Sequence, residues 1–440
     1  HQKIKVGYFS SDFRSHPVSF LTAELFERHD KTRFEIIGFD FTAKQDNVRE
    51  RLALAFDSLH DVSQLSDAQV VTLARELELD IAVDLNGYTE GARTELFAMR
   101  VAPIQVLYLG YLGTMGASYM DYLLADHTLI PNTHRQYYAE KIVYLPHFQV
   151  NDSTLVIPNC NITRNAAGLP EQGVVFCCFN NVYKITPTVF ACWMRILNAV
   201  QGSVLWLLEN NQDTQRNLIQ SAVSYGVTAE RIIFAKRVSL AEHSARHGLA
   251  DLFLDTQPCN AGATASTALW SGLPILTYLG SSFAGRMGAS LMCAVGLSEL
   301  IAENLQDYET LAISLGKQPE KLAALKEKLK NQCLTAPLFN TALFTQQLES
   351  AYQILLERHQ QGLPPDDIDM TQTTTADNPD DLIAQGNDLE DAQCFSEALA
   401  CYEQAIVLNP SYARAYSNRG NVLQSLNRFE EALDLSLIHI

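Results

Sequence analysis

Positive charge is scarce in this 440-residue sequence, which sets 32 Lys and Arg against 50 Asp and Glu for a formal net charge of -18. With nothing basic and contiguous to offset the acidic surface, nonspecific binding to nucleic acid or to an anionic membrane is not expected. Apolar runs of membrane-spanning length and an N-terminal secretory pattern are also missing, so the sequons Asn151-Asp-Ser and Asn161-Ile-Thr carry little weight. The nine cysteines include the neighbours Cys177 and Cys178 but show no CxxC or Cys/His metal spacing, and the chain is too long to need disulfide staples. Reduced thiols in a cytoplasmic protein without a bound metal are the expectation. Neither GxxxxGK[ST] nor GxGxxG occurs, which removes the Walker loop and the dinucleotide fingerprint. Asp-X-Asp appears only as Asp367-Ile-Asp369, inside an acidic stretch, which argues against a metal-held diphosphate.

What is present is an alternation. The β-rich runs "IKVGYFS", "FEIIGFDF", "DIAVDLNGY", "IQVLYLGY" and "KIVYLP" are separated by helical patterns such as "VSFLTAELFERHD" and "DAQVVTLARELEL". After a polar gap near 151–170 the pattern restarts with "GVVFCCFN", "SVLWLLEN", "RIIFAKRV", "ADLFLDT" and "LPILTYLG". This is an α/β chain with two doubly wound, Rossmann-like lobes, expected at 1–165 and 166–358, and a ligand site in the cleft where their strands end. Residues 364–391 hold many carboxylates and no Lys or Arg, so an acidic, solvated linker is expected at 359–379. From 380 to 435 the period changes: Gly386 recurs as Gly420, Leu389 as Leu423, Phe395 as Phe429, and "EAL" at 397 as "EAL" at 431, always 34 apart. That spacing resembles the tetratricopeptide repeat, a helix pair stacked on the next pair, and about one and a half repeats are too few to be stable alone. The closing "SLIHI", 436–440, leaves the repeat pattern, and with a start at His1 rather than Met it reads as a truncation or an artefact.

Three loops at strand ends carry candidate chemistry. In "SSDFRSHPVSF", His16 precedes Pro17 at a helix start, where an imidazole is either a helix cap or a general base kept neutral by the helix N-terminus. Ser11 and Asp12 there read as turn residues. In "CCFNNVYKITPTVF", Lys184 follows a buried strand, and Thr186-Pro187 opens a helix. An ammonium group beside a helix start can stabilise a leaving diphosphate without metal, although a lone loop lysine is also often just solvated. In "DTQPCNAGATASTALWSGLP", the small residues Gly262, Ala263, Thr264, Ala265 and Ser266 leave backbone N–H groups open at a helix start, suited to phosphate or simply to tight packing. Glycines 110, 113 and 116 allow close approach of a sugar. His243 and Arg246 lie beyond a strand, where a planar ring can stack on a base or merely face solvent.

Taken in order, "VGYFSSDFRSHPVSF", "DLNGYTEGARTELFAMRVAPIQVLYLGYLGT", "FNNVYKI", "RIIF" and "CNAGATASTALWSGLP" resemble the O-linked N-acetylglucosamine transferase family over about residues 3–355. The resemblance implies a GT-B fold of two facing lobes. It implies transfer of N-acetylglucosamine from UDP-GlcNAc to Ser or Thr of protein acceptors, inverting and metal-independent, with the nucleotide sugar as substrate and no cofactor. By the same resemblance, His16 is the active-site histidine and Lys184 neutralises the diphosphate. Asn181 and Tyr183 sit at neighbouring binding positions, His243 and Arg246 around the base. Cys259, Ala263 and Thr264 fall in the loop on sugar and phosphates, and Gly113 falls beside the sugar. Three positions depart from the family pattern: Gly262 replaces a phosphate-contacting histidine, Ala263 a hydroxyl residue and Thr267 a ribose-binding aspartate. A second family histidine aligns with Ser58 rather than His60, so His60 is not taken as catalytic. The repeats follow the catalytic lobes here, whereas they usually precede them. The rival readings are another donor, such as GDP-fucose, and a weakened scaffold that works through its repeats.

Overall fold

Every β-rich run read from the sequence holds a strand in the computed structural model, which describes residues 3–42, 44–156, 162–333, 335–371, 379–391, 394–408, 412–426 and 428. The first sheet contains β1 (Ile4–Ser10), β2 (Phe34–Asp40), β3 (Ser58–Asp61), β4 (Ile81–Asp84), β5 (Ile104–Leu107), β6 (Tyr122–Ala125) and β7 (Lys141–Tyr144). The second contains β8 (Val175–Cys178), β9 (Val204–Leu208), β10 (Ile232–Ala235), β11 (Leu252–Leu254), β12 (Ile275–Tyr278) and β13 (Ile301–Ala302), and a short strand β14 (Ile368–Asp369) closes the series. The sheets run β14-β7-β6-β5-β4-β1-β2-β3 and β10-β9-β8-β11-β12-β13. Pairing from β3 across to β7, and from β10 across to β13, is parallel. Both sheets therefore have the 3-2-1-4-5-6 order of the dinucleotide-type fold. Helices cover both faces of such a sheet, which is why Val6, Tyr8 and Phe9, or Val175 to Cys178, are buried without alternation.

Some elements escaped the sequence reading. The β3 segment "SLHD" is a polar edge strand with no apolar run, and β6, "YLLA", has four residues too few in number to show a period. Helix Thr341–Gln360, expected to close the second lobe at 358, packs against helix Pro17–Arg28 of the first. Its Tyr352 hydroxyl lies 3.0 Å from the buried Tyr8 hydroxyl, and Glu349 accepts from the Asp30 N–H at 2.8 Å and pairs with His29 Nδ1 at 2.9 Å. Nor is the start of the acidic stretch a free linker. Asp367 takes two hydrogen bonds from Arg135 and one from the Ile142 N–H, and Asp366 pairs with Lys141, at the edge where β14 joins β7. Fixed partners on the first lobe replace the solvent that composition suggested.

By its contacts the chain divides into two units, His1–Ile368 and Asp369–Ile440. The second contains helices Pro379–Asp391, Phe395–Leu408 and Ala413–Ser425. Leu382, Ile383, Ala398, Leu399, Tyr402, Ala405, Ala415, Val422 and Leu423 form its core. Gly386 is required for the first two helices to close: a Cβ there would lie 2.3 Å from the Tyr402 ring. Phe429, the second "EAL" and 436–440 lie outside the described residues.

Candidate functional site

In each sheet the chain leaves the central pair of strands in opposite directions, β1 and β4 in one and β8 and β11 in the other, and loops after these strands open a crevice. Within the first unit a cavity of about 260 Å³ is lined by His16 from the first lobe and by Asn181, Tyr183, Lys184, Gly262, Ala263 and Thr264 from the second. Residues far apart in sequence, read separately as a helix-start histidine, a loop lysine and a small-residue loop, thus share one wall-to-wall space.

His16 is the N-cap of helix Pro17–Arg28, with Pro17 in the first turn. Its Nδ1 accepts from the Val18 N–H at 3.3 Å, and Asp12 Oδ1 stands 3.5 Å from the same nitrogen. Burial lowers the His16 pKa; the Asp12 carboxylate works against that and the Arg14 guanidinium with it. Asp12 is itself buried and held: Asn86 Nδ2 donates to its Oδ2 at 3.1 Å, Arg14 donates to its Oδ1 at 3.2 Å, and Ser19 donates to its backbone oxygen. Asn86 also binds the Ser11 N–H and hydroxyl. Asp12 and Asn86 were not singled out from the sequence. Asp12 lies four residues before His16, a spacing that could have flagged it, but the meeting with Asn86 exists only because β4 lies beside β1.

Lys184 ends the short turn Val182–Lys184, and its Nζ donates to the Asn260 carbonyl at 2.8 Å. The loop carrying Asn260 is organised by the buried Asp255. Its Oδ1 accepts from the Thr256 and Ala261 N–H groups, both at 2.8 Å, and its Oδ2 accepts from the Thr277 hydroxyl at 2.8 Å. Burial pushes Asp255 up to about 6, against these stabilising bonds. The loop delivers Gly262 as N-cap of helix Ala263–Trp270 with no side-chain cap, so the first-turn N–H groups are left for something else. A side chain at 262 would fit: a Cβ would come no closer than 3.6 Å to anything, that neighbour being Gln149 Oε1. Gln149, another residue the sequence did not flag, crosses from the first lobe to hydrogen-bond Ser266.

A second cavity of about 450 Å³ adjoins the first, sharing Pro17, Leu21, Ala263 and Thr264, and adds His243 and Thr267 to its lining. Burial, with His247 and Arg246 nearby, pushes His243 down to about 3, so it is a neutral ring at ordinary pH. The Thr267 hydroxyl donates to the Ala263 carbonyl at 3.1 Å, leaving it only acceptor capacity for a ligand. Other candidates stand back. Arg246 lines neither cavity: it is buried behind His243, donates to the Lys236 carbonyl at 2.6 Å and lies over the Phe179 ring at 4.8 Å. Cys259 and Gly113 also lie outside both linings; Cys259 offers its carbonyl to Thr256, and Gly113 sits by the Tyr111 ring. Gly110 does line the first cavity, but glycine is required there by the fold, since a Cβ would lie 1.9 Å from the Leu85 carbonyl. His60 is on edge strand β3, bonded to Ser58 and stacked on Phe39. Among the described residues no three His, Cys, Asp or Glu side chains gather as a metal site, and no helix is long and apolar enough to cross a membrane.

Comparison with known proteins fits this arrangement. The chain is 37% identical over 373 residues to a probable UDP-N-acetylglucosamine–peptide N-acetylglucosaminyltransferase, SEC, of Arabidopsis thaliana, covering 83% of this chain and 38% of that one. It is 27% identical to the Caenorhabditis elegans UDP-N-acetylglucosamine–peptide N-acetylglucosaminyltransferase, covering 83% and 42%. It therefore spans about two fifths of the length of these curated relatives. An O-GlcNAc transferase mutant from Thermobaculum terrenum superposes with a TM-score of 0.75 at 31% identity, covering 81% of this chain and 68% of that one. The fold alone is shared with Anabaena HepE, at 13% identity and a TM-score of 0.54. A TPR repeat model matches residues 386–427. The model of glycosyl transferase family 41 matches residues 1–161 and 156–348, which takes in strands β1 to β13 and every loop around the crevice, and the chain belongs to that family.

Proposed function

We propose that this chain transfers N-acetylglucosamine from UDP-GlcNAc to Ser or Thr hydroxyls of protein acceptors, with inversion and without a metal. The observation that carries the reading is the shared cavity: His16 from one lobe faces Lys184 and an uncapped helix start from the other. Those N–H groups and the ammonium suit the charge that develops on a departing diphosphate. The imidazole suits an attacking hydroxyl. His243 and Thr267, in the adjoining cavity, would take the base and the ribose, and the likeness to the named transferases supports the donor. Arg246 acts on the base only through His243.

Thermal-shift titration with UDP, GDP and their sugars, followed by transfer to a Ser/Thr peptide, tests this. UDP and UDP-GlcNAc should stabilise the protein, by about 2.7 kcal/mol at a 100-fold excess over Kd. Thr267, uncharged where relatives have an aspartate, favours the second reading of a different donor; a response to GDP alone would establish it. No response to any nucleotide would leave the scaffold reading.

A further inference from the structure

We propose that Asp12 is a positioning residue that sets the tautomer of His16. The Val18 N–H can only donate, so the Nδ1 that accepts from it carries no proton. In the neutral ring the proton is then on Nε2, and that edge can donate to a ligand but cannot accept a proton from a hydroxyl. To become an acceptor, Nε2 must be bare, which requires a proton on Nδ1 and a partner to receive it. Asp12 Oδ1, 3.5 Å from Nδ1, is the carboxylate in reach, and a small rotation of the ring exchanges Val18 for Asp12.

Asp12 is built to stay put while the ring turns. It is buried, anchored through Asn86 on one oxygen and through its backbone by Ser10 and Ser19. The exchange gives up one neutral helix-cap bond for a charge-assisted one, which is the stronger of the two. The other charged groups that face the ring are Arg14, which shares Asp12 Oδ1 at 3.2 Å, and Lys184 across the cavity. The loop at Leu109, Gly110 and Leu112 and the helix start at 262–264 bring no charge to it.

The consequence for transfer rests on the function proposed above. As the acceptor oxygen bonds to the anomeric carbon, its proton passes to His16 Nε2, and the bond from that carbon to the diphosphate breaks with its electron pair on the phosphate oxygen. The imidazolium so formed keeps its Nδ1–H on Asp12. Without the carboxylate the ring falls back to the Val18-capped, donor-only form.

The test uses the whole protein labelled with ¹⁵N-histidine, with the His16 resonances assigned through His16→Gln. In Asp12→Asn the population of Nδ1–H and the His16 pKa should both fall, and kcat should drop about 10- to 100-fold with the donor KM unchanged. Arg14→Ala, which frees Asp12 Oδ1, should move population and pKa the other way. If both variants leave the tautomer ratio and pKa where they are in the parent, the proposal is overturned. Because these are read without donor, a protein that transfers nothing to any acceptor, yet shows both shifts, would lose the proposed function and keep the Asp12–His16 coupling. Should Asp12→Asn fail to fold, Arg14→Ala and the parent titration still decide.

Discussion

The two lobes solve one structural problem alike and then diverge. Each places a buried aspartate at the carboxyl end of its fourth strand in chain order, Asp84 ending β4 and Asp255 following β11, and each aspartate ties down the loop beyond by accepting backbone N–H groups. In the first lobe that loop presents side chains: Asn86 reaches back to Ser11 and Asp12, and through them to His16. In the second it presents backbone, the open start of helix Ala263–Trp270, with Lys184 as the cationic side chain among the described residues of that part of the cavity lining. The same frame thus yields a site for proton handling on one side and for anion binding on the other, because titration needs a side chain whereas a diphosphate is met well by fixed N–H dipoles.

The heaviest loss is expected on the anion-binding side. Lys184→Ala removes the cation from a leaving diphosphate, and kcat for both transfer and donor hydrolysis should fall about 10²- to 10³-fold, measured by UDP release. His16→Ala breaks the first half: transfer should fall about 10²-fold while donor hydrolysis, which needs no acceptor hydroxyl, falls much less. Equal losses of hydrolysis in the two variants would show that the division of labour between lobes is wrong.

How much of this the sequence disclosed follows from where the information lies. Strands such as "IKVGYFS" and "SVLWLLEN" are legible because burial on both faces demands continuous apolar runs. His16, Lys184 and the loop at 262–264 are legible because a strand end followed by a capped or glycine-rich helix start is a local pattern. The partners of these residues are not local. Asp12 looked like a turn residue since its role depends on Asn86, which the neighbouring strand delivers, and Arg246 looked available to a ligand because nothing in a linear pattern shows Phe179 and the Lys236 carbonyl enclosing it. The return of helix Thr341–Gln360 to the first lobe hangs on Tyr8 meeting Tyr352 and His29 meeting Glu349, pairs more than 300 positions apart.

pH distinguishes the two buried aspartates further. Burial holds Asp84 and Asp255 up at about 6. Below about pH 4 each is protonated folded and unfolded alike. Between pH 4 and 6 the unfolded chain releases a proton that the folded one keeps, so stability falls as pH rises through this window, by on the order of 2–3 kcal/mol per group. Asp84→Asn and Asp255→Asn should each flatten that part of a urea-denaturation profile. They should differ at neutral pH. Among the described residues Asp84 Oδ2 has no hydrogen-bond partner, whereas both Asp255 oxygens are bonded, so the neutral amide should be tolerated better at 84 than at 255.

A more modest change is expected at Thr267, a lining residue whose chemistry departs from the donor proposed. Thr267 spends its hydroxyl hydrogen on the Ala263 carbonyl, one turn back in its own helix, so toward a ribose it can only accept, and without charge. A carboxylate accepts a sugar hydroxyl more strongly, by about 1–2 kcal/mol over a neutral oxygen. Thr267→Asp should therefore lower Kd for UDP about 5- to 30-fold, read by calorimetry, with no change in the affinity for free GlcNAc. The site can receive the change because Thr267 is only half-buried and lines the second cavity. If UDP binding instead weakens while GDP binding tightens, the cavity is shaped for the larger base, and the second lobe selects its donor by nucleobase rather than by the ribose contact.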